Sequence, residues 1–399
     1  MKGMTKKAYL ALLSLAIAAF AIGTTEFVIV GLLPTVAVDL NITVVEAGKL
    51  ITGYALALAV GTPLVVVLTG KVVKKNLLLL LLLVFTLGNG VAAIASNYEV
   101  LMLSRVITAI SHGVFFSVAT IVATDIVPNE KRGSAISIMF SGLTVATIAG
   151  VPIGTMIGQQ FGWRMTFATV AFLGLIGLIA TWLSIEPSSN NDKAPTIRDI
   201  KQLLSHPRIM LALSMTIFGF GATFSIFTYL APILEQISGF SPQVISYLLL
   251  LYGVAVAIGN VVGGKLANQA PVNSLKRIFL LQGIVLLVQY WLLPLKVVSI
   301  FSIMILGLFA FMMSPGVQVN VVNMAEKYVP TAKNVASALN ISAFNIGIAL
   351  GSFLGSLAVD TLSYLDTAWV GALMAFLASL IAYVNIRLDQ KRINGVINK

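Results

Sequence analysis

Cysteine does not occur in the 399 residues, which excludes disulfides, thiolate nucleophiles and cysteine-held metals. Histidine is nearly absent, with His112 and His206 alone. Neither a metal-ligand cluster nor a nucleophile–His–acid pattern is visible, so no catalytic or metal residues are expected. Charge is scarce as well: 10% of residues are Asp, Glu, Lys or Arg against 58% hydrophobic, and the mean hydropathy is +0.99. A water-soluble domain of this length needs far more polar surface, so the solvent is a bilayer.

What is present is a succession of long apolar runs. A helical span takes roughly 20 such residues, and the runs place spans near 8–33, 46–69, 77–96, 99–124, 134–158, 164–184, 208–234, 244–266, 277–294, 298–325, 335–359 and 367–386. The fold class is therefore an all-α membrane protein of twelve transmembrane helices. Lys2, Lys6 and Lys7 before Tyr9–Gly23 have the look of a secretory signal. The apolar run resumes at Phe27–Leu33 and is too long for one, so it is read as the first span.

The formal charge of +11 would suit nucleic acid or an anionic surface, but its distribution has a simpler cause. With the N-terminus in the cytoplasm, the 25 lysines and arginines fall on the cytoplasmic side except for Lys49, Arg164 and Lys296 outside and Arg105 within a span. That bias is the positive-inside rule. It puts both termini inside and leaves no nucleic-acid partner to invoke.

The most polar stretch, Glu186–Pro207, divides six spans from six. The expected organisation is a bundle at 1–185, a cytoplasmic linker at 186–207 and a second bundle at 208–399. The halves echo each other. Leu33-Pro34 closes span 1 and Ala231-Pro232 closes span 7. Gly70-Lys71 and Gly264-Lys265 follow spans 2 and 8. Spans 5 and 11 carry glycines four apart, at Gly150, Gly154, Gly158 and at Gly347, Gly351, Gly355, each after a proline-started basic loop. Four matches in the same order indicate internal duplication. The glycines form one stripe per helix, which serves tight packing or a sliding seam, and Pro152 should kink span 5.

Ionisable residues within the spans carry the functional signal, because charge in hydrocarbon is costly and marks a pathway. Three lie well inside: Glu26 in span 1, with Arg105 and His112 in span 4. The place of Glu26 in span 7, by the Pro34–Pro232 match, is Phe224. At about 1.5 Å per residue, Glu26 and Arg105 sit at similar depth, and His112 lies two turns deeper on the face of Arg105. If spans 1 and 4 are neighbours, the three line one wall and suit proton coupling. The competing reading is a static Glu26–Arg105 ion pair. In the basic link at Gly70, Lys71, Lys74 and Lys75, a lysine contact with Asp125 would form a cytoplasmic gate, a weak one if exposed. The segment Gly259–Leu266 fits G-x-x-x-x-G-K but lacks the following Ser or Thr and a preceding strand, so it is not a phosphate loop.

The segments Thr24–Pro34, Ser104-Arg105 through His112-Gly113, Gly150–Gly154 and Gly162–Phe167 together resemble the major facilitator superfamily. The likeness covers the whole chain and is to the twelve-span drug:proton antiporter branch, most like bacterial sugar-efflux and arabinose-efflux-type exporters. It implies two pseudo-symmetric six-helix bundles in a bacterial inner membrane, rocking around a central site, with proton influx driving export. Arg105, Ala109 and Gly113 resemble the span-4 arginine motif; Gly150, Pro152 and Gly154 resemble the antiporter motif, with Val151 interrupting its Gly-Pro pair. In the loop motif, Gly70 replaces the aspartate that meets span 11. Substrate-cavity candidates by type and depth are Phe27, Tyr54, Phe115, Tyr229, Asn320, Phe344 and Asn345, suited to sugars or amphiphilic drugs. The expected partners are a small-molecule substrate, protons and membrane lipid. The energy source is the proton gradient, with no cofactor, and the chain is expected to act as a monomer. A facilitator or importer of the same fold, and a membrane enzyme acting on lipid, are the alternatives.

Overall fold

The computed structural model describes residues 5–70, 72–128, 132–186, 196–269, 271–329 and 333–397. Among these are twelve helices long and apolar enough to cross a membrane, numbered here as spans 1 to 12. They are Lys6–Asp39, Val44–Val66, Lys74–Ala93, Tyr98–Asp125, Ile138–Phe161, Trp163–Ser184, Pro207–Ile237, Pro242–Ala267, Pro271–Leu292, Lys296–Tyr328, Val335–Thr361 and Tyr364–Gln390. Of the linker at 186–207, residues 187–195 lie outside the described residues, and Ile197–Leu204 forms a short helix.

Local chemistry sets the helix starts. Thr5 caps span 1 by accepting from the Ala8 amide at 3.2 Å. Asn97 caps span 4 by accepting from the Val100 amide at 2.9 Å. Span 2 begins with a reciprocal capping box: Glu46 Oε2 accepts from the Thr43 amide at 2.9 Å, and Thr43 Oγ1 accepts from the Glu46 amide at 3.1 Å. Each satisfies amides that have no partner inside the helix.

Prolines set the breaks. A proline has no N–H, and its ring crowds the carbonyl four residues earlier. Span 10 turns at Phe311–Met313, where Phe311 stands four before Pro315. Span 7 is interrupted at Thr228 and Tyr229, four and three before Pro232, resumes at Leu230–Pro232 and ends in a π-helical turn, Ile233–Ile237. In span 5 the kink expected at Pro152 takes the form of a π-helical segment, Ala146–Gly150, just ahead of it. Pro34 behaves differently. The sequence ends span 1 there, yet the helix runs on to Asp39, so Glu26 is farther from its end than expected.

The chain divides into two compact units, Met1–Ala194 with Ser241–Leu250, and Pro195–Phe240 with Leu251–Lys399. In the first unit, span 1 packs against spans 5 and 6, span 3 against 4 and 6, and span 2 against 4. Its apolar core gathers Leu12, Leu15, Leu78, Phe85, Phe115 and Met139. The second unit repeats the scheme, with span 7 against 11 and 12, and span 9 against 12.

The glycine stripes lie in the corresponding seams, spans 1 and 5 in one unit and 7 and 11 in the other, but the contacts differ. Gly150, Gly154 and Gly158 face the side chains of Thr24, Val28 and Leu32. Gly347, Gly351 and Gly355 face main-chain oxygens of Ile217, Gly221 and Ser225. A Cβ at Gly347 would lie 2.5 Å from the Ile217 oxygen, and backbone cannot turn aside as a leucine tip can. Gly351→Ala should therefore destabilise the protein by about 1–3 kcal/mol, clearly more than Gly158→Ala. Thermal unfolding of both variants in detergent checks this; equal losses would contradict the distinction.

Candidate functional site

The polar centre of the first unit is assembled from four spans. Arg105 and His112 stand on span 4, seven residues apart and so on one face. Glu26 with Thr25 comes from span 1, Tyr54 from span 2 and Asn89 from span 3. Glu26 and His112 are each 7% exposed and Arg105 1%. The sequence reading of these three as neighbours is what the structure gives.

The expected alternative of a Glu26–Arg105 ion pair is not found among the described residues. The guanidinium reaches span 1 through main-chain oxygens: Nη1 donates to Thr25 O at 2.6 Å and Nη2 to Glu26 O at 3.5 Å, with Thr25 Oγ1 at 3.3 Å from Nη1. A helical carbonyl keeps a second lone pair for such a donor. The other face of the guanidinium is stacked on Tyr54, 4.0 Å above the ring centroid, a favourable cation–π contact. Glu26 Oε1 is buried and meets no hydrogen-bond donor among the described residues.

Two further links complete the centre. Tyr54 Oη and His112 Nδ1 are 2.9 Å apart, and the imidazole packs on Phe116 with centroids 5.1 Å apart. Thr25 Oγ1 donates to Asn89 Oδ1 at 2.7 Å, and Asn89 Nδ2 donates back to Phe85 O at 2.8 Å. Asn89 is a functional neighbour that sequence reasoning missed; the signal was an amide in the otherwise apolar run Leu77–Ala93. Tyr54, read as a cavity residue, belongs to the ionisable centre instead. Phe115, also read as lining a cavity, is fully buried in the apolar core and meets Phe116 edge-on at 5.6 Å. Its ring points to the packed side of span 4.

At the end of the bundle, Asp125 is held by Lys74, Nζ to Oδ2 2.8 Å. Lys71, another lysine of that link, lies outside the described residues. Lys74 starts span 3 beside the end of span 4, and its side chain is only 10% exposed against 36% for Asp125, so the pair is less screened than a surface bridge. Lys75 donates to Trp182 O of span 6 at 2.9 Å, and Gly70 ends the turn after span 2. These contacts tie spans 3, 4 and 6 of one bundle, and are a staple within it. At the opposite end Asp39 receives Arg164 Nη1 at 2.5 Å and Trp163 Nε1 at 3.1 Å, while Arg164 Nε donates to Ala95 O at 2.9 Å. The Gly162-Trp163-Arg164 motif thus fastens span 6 to the ends of spans 1 and 3.

In the second unit, the places of Glu26, Arg105 and His112, at the Pro34–Pro232 offset, hold Phe224, Ile303 and Ala310. An aromatic group stands there. Phe344 meets Phe220 at 4.1 Å, Phe220 meets Phe311 at 5.6 Å and Phe224 meets Phe227 at 5.4 Å, all edge-to-face. Of the other cavity candidates, Phe27 is buried on span 1 and Tyr229 lies at the break in span 7. Asn320 and Asn345 are buried, with both polar atoms of Asn320 and Oδ1 of Asn345 unpartnered among the described residues.

The sequence matches the model of the Major Facilitator Superfamily over residues 15–332. The chain belongs to this superfamily. Among its relatives, the uncharacterized MFS-type transporter YtbD of Bacillus subtilis is 47% identical over 382 residues, 96% of each chain. The inner membrane transport protein YdhP of Escherichia coli K12 is 38% identical over 377 residues, 94% of this chain and 96% of that one. A solved bacterial homologue of the human lysosomal transporter Spinster has the same fold, with a TM-score of 0.75 at 16% identity, over 96% of this chain and 99% of that one. This superfamily member is a membrane transporter and not an enzyme, and with its twelve spans it is a multi-pass bacterial inner-membrane protein.

Thr25 is the hinge of the polar centre, since its hydroxyl meets both Asn89 and Arg105. Thr25→Val should destabilise the protein by about 1–3 kcal/mol by orphaning a buried amide oxygen, and Thr25→Ser should restore most of the loss. Unfolding in detergent measures both; a silent Thr25→Val would show that the Asn89 contact contributes nothing.

Proposed function

We propose that this transporter is a proton-coupled exporter of small molecules, working by alternating access with Glu26 as the proton carrier. The observation that carries the reading is the carboxyl itself. It is buried, Oε1 has no donor, and the nearby guanidinium is engaged by main-chain oxygens and a tyrosine ring. A buried carboxylate without a full set of partners is costly, a condition that one proton relieves and that opening to water also relieves. Alternation between those two situations is what coupled transport requires. Arg105 supplies positive charge beside the site and His112 a second titratable group.

The charge pattern supports cytoplasmic termini, and the likeness to efflux-type antiporters supports export. On the substrate side, the second unit offers the phenyl group of Phe220, Phe224, Phe311 and Phe344, the Asn320 amide and the unpartnered Oδ1 of Asn345. Neither group contains a carboxylate. Together they suit a molecule with an apolar or ring face and hydrogen-bonding edges, as sugars and amphiphilic drugs have. In secondary transporters, irregular backbone within a span tends to stand where it lines a path, which fits the breaks in spans 7 and 10.

The deciding experiment is proton flux in reconstituted liposomes with an internal pH dye and a panel of sugars and amphiphilic drugs. The expected outcome is a substrate-triggered pH change that Glu26→Gln reduces to the protein-free baseline while substrate binding persists. Substrate movement without proton movement in the wild type would make the protein a facilitator and leave Glu26 a binding or structural role.

A further inference from the structure

Tyr54 is placed between the two basic groups of the centre and touches both. The ring carries the Arg105 guanidinium at 4.0 Å and the hydroxyl reaches His112 Nδ1 at 2.9 Å. We propose that Tyr54 is the positioning residue of this centre: its face holds Arg105 and its hydroxyl fixes which nitrogen of His112 carries the proton. The proposal deepens the proton-coupling reading and rests on it for the effect on transport.

The assignment follows from counting donors. The Tyr54 hydroxyl has one hydrogen-bond neighbour among the described residues, the imidazole Nδ1. If Nδ1 carried the proton and donated, the phenolic hydrogen would be buried with no acceptor, which costs about 1–3 kcal/mol. With the hydroxyl donating to Nδ1, the phenolic hydrogen and the Nδ1 lone pair are both satisfied and the imidazole proton sits on Nε2. The ring is also packed against Phe116, which opposes a flip.

The surroundings leave this contact in control. The charged groups nearby are Arg105 on the same span and Glu26 on span 1, and Tyr54 is what span 2 contributes. Span 3 presents the neutral Asn89, with Lys74 and Asp125 at the far end of spans 3 and 4. Span 5 has no ionisable residue from 138 to 161. A proton arriving at Nδ1 must therefore turn the hydroxyl from donor to acceptor, and that movement occurs in the ring on which Arg105 rests. In this way the state of His112 is reported to Arg105 without direct contact. Tyr252, at the matching place in the second unit, stacks on Phe227 at 4.9 Å, and its hydroxyl has no partner among the described residues. There the same position serves packing.

Because the chain has only two histidines, His206→Gln leaves His112 as a single reporter. In the full-length protein labelled with nitrogen-15 histidine, the imidazole should give an unprotonated Nδ1 signal and a protonated Nε2 signal. Tyr54→Phe keeps the ring for Arg105 and removes the hydroxyl, so it should merge these into tautomer-averaged signals. A protonated Nδ1 in the unmutated site, or unaltered signals in Tyr54→Phe, would overturn the proposal; the first outcome needs no Tyr54 variant to fold. In liposomes, Tyr54→Phe and His112→Gln should each shift the pH profile of substrate-driven flux, and the double variant should shift it no further. Additive shifts would also overturn it. Flux retained by Glu26→Gln would instead count against the proton-carrier reading, while the nitrogen signals still judge Tyr54.

Discussion

A guanidinium in hydrocarbon must find its partners inside the protein, and the first unit is arranged around meeting that demand for Arg105. Two oxygens of span 1 and the face of a tyrosine in span 2 receive it. Thr25 passes the contact on to span 3 through Asn89, so one buried cation draws four spans into register. Oε1 of the Glu26 carboxyl takes no part in the arrangement. A matched ion pair at the same depth would be a fixed strut, whereas an acid with a buried, unpartnered oxygen beside an engaged base suits the proton exchange proposed above.

The second unit has the same neighbour relations between spans and a different filling. Where the first holds an acid, a base and an imidazole, the second holds phenyl rings, and Tyr252 stacks where Tyr54 bonds. Duplication supplied one frame twice, and the two copies now differ in polarity at their centres. The contrast places the ionisable groups in one bundle and the aromatic group in the other. The prolines reinforce it: both helix breaks at Thr228–Tyr229 and Phe311–Met313 are in the aromatic half, close to Phe227 and including Phe311.

The span count, the duplication and the trio Glu26, Arg105 and His112 were legible in the sequence because hydrophobic runs and rare intramembrane charges are strong signals in a lipid solvent. The partner of each group was not. Sequence places Glu26 and Arg105 together but does not reveal that Arg105 turns to backbone oxygens, since every helix offers those and no residue type announces them. Tyr54 and Asn89 are single polar residues in apolar runs, and their roles depend on which way each helix is rotated. Phe115 was misjudged for the same reason: depth was readable, and the facing direction was not. Of the lysines the sequence offered to Asp125, the one at the start of span 3, with its stem packed inside, makes the pair.

The seams of the two bundles also differ in what they permit over time. In spans 1 and 5, Gly142 looks onto the Ala16 oxygen, but Gly150, Gly154 and Gly158 look onto Thr24, Val28 and Leu32, each of which can be exchanged for a smaller residue to admit a larger one opposite. Compensation by a single second substitution is available there. In spans 7 and 11 the glycines look onto peptide oxygens, which no mutation can trim. The first seam is therefore open to gradual evolutionary adjustment along 150–158, though not at Gly142, while the seam at 347–355 inherits its spacing unchanged.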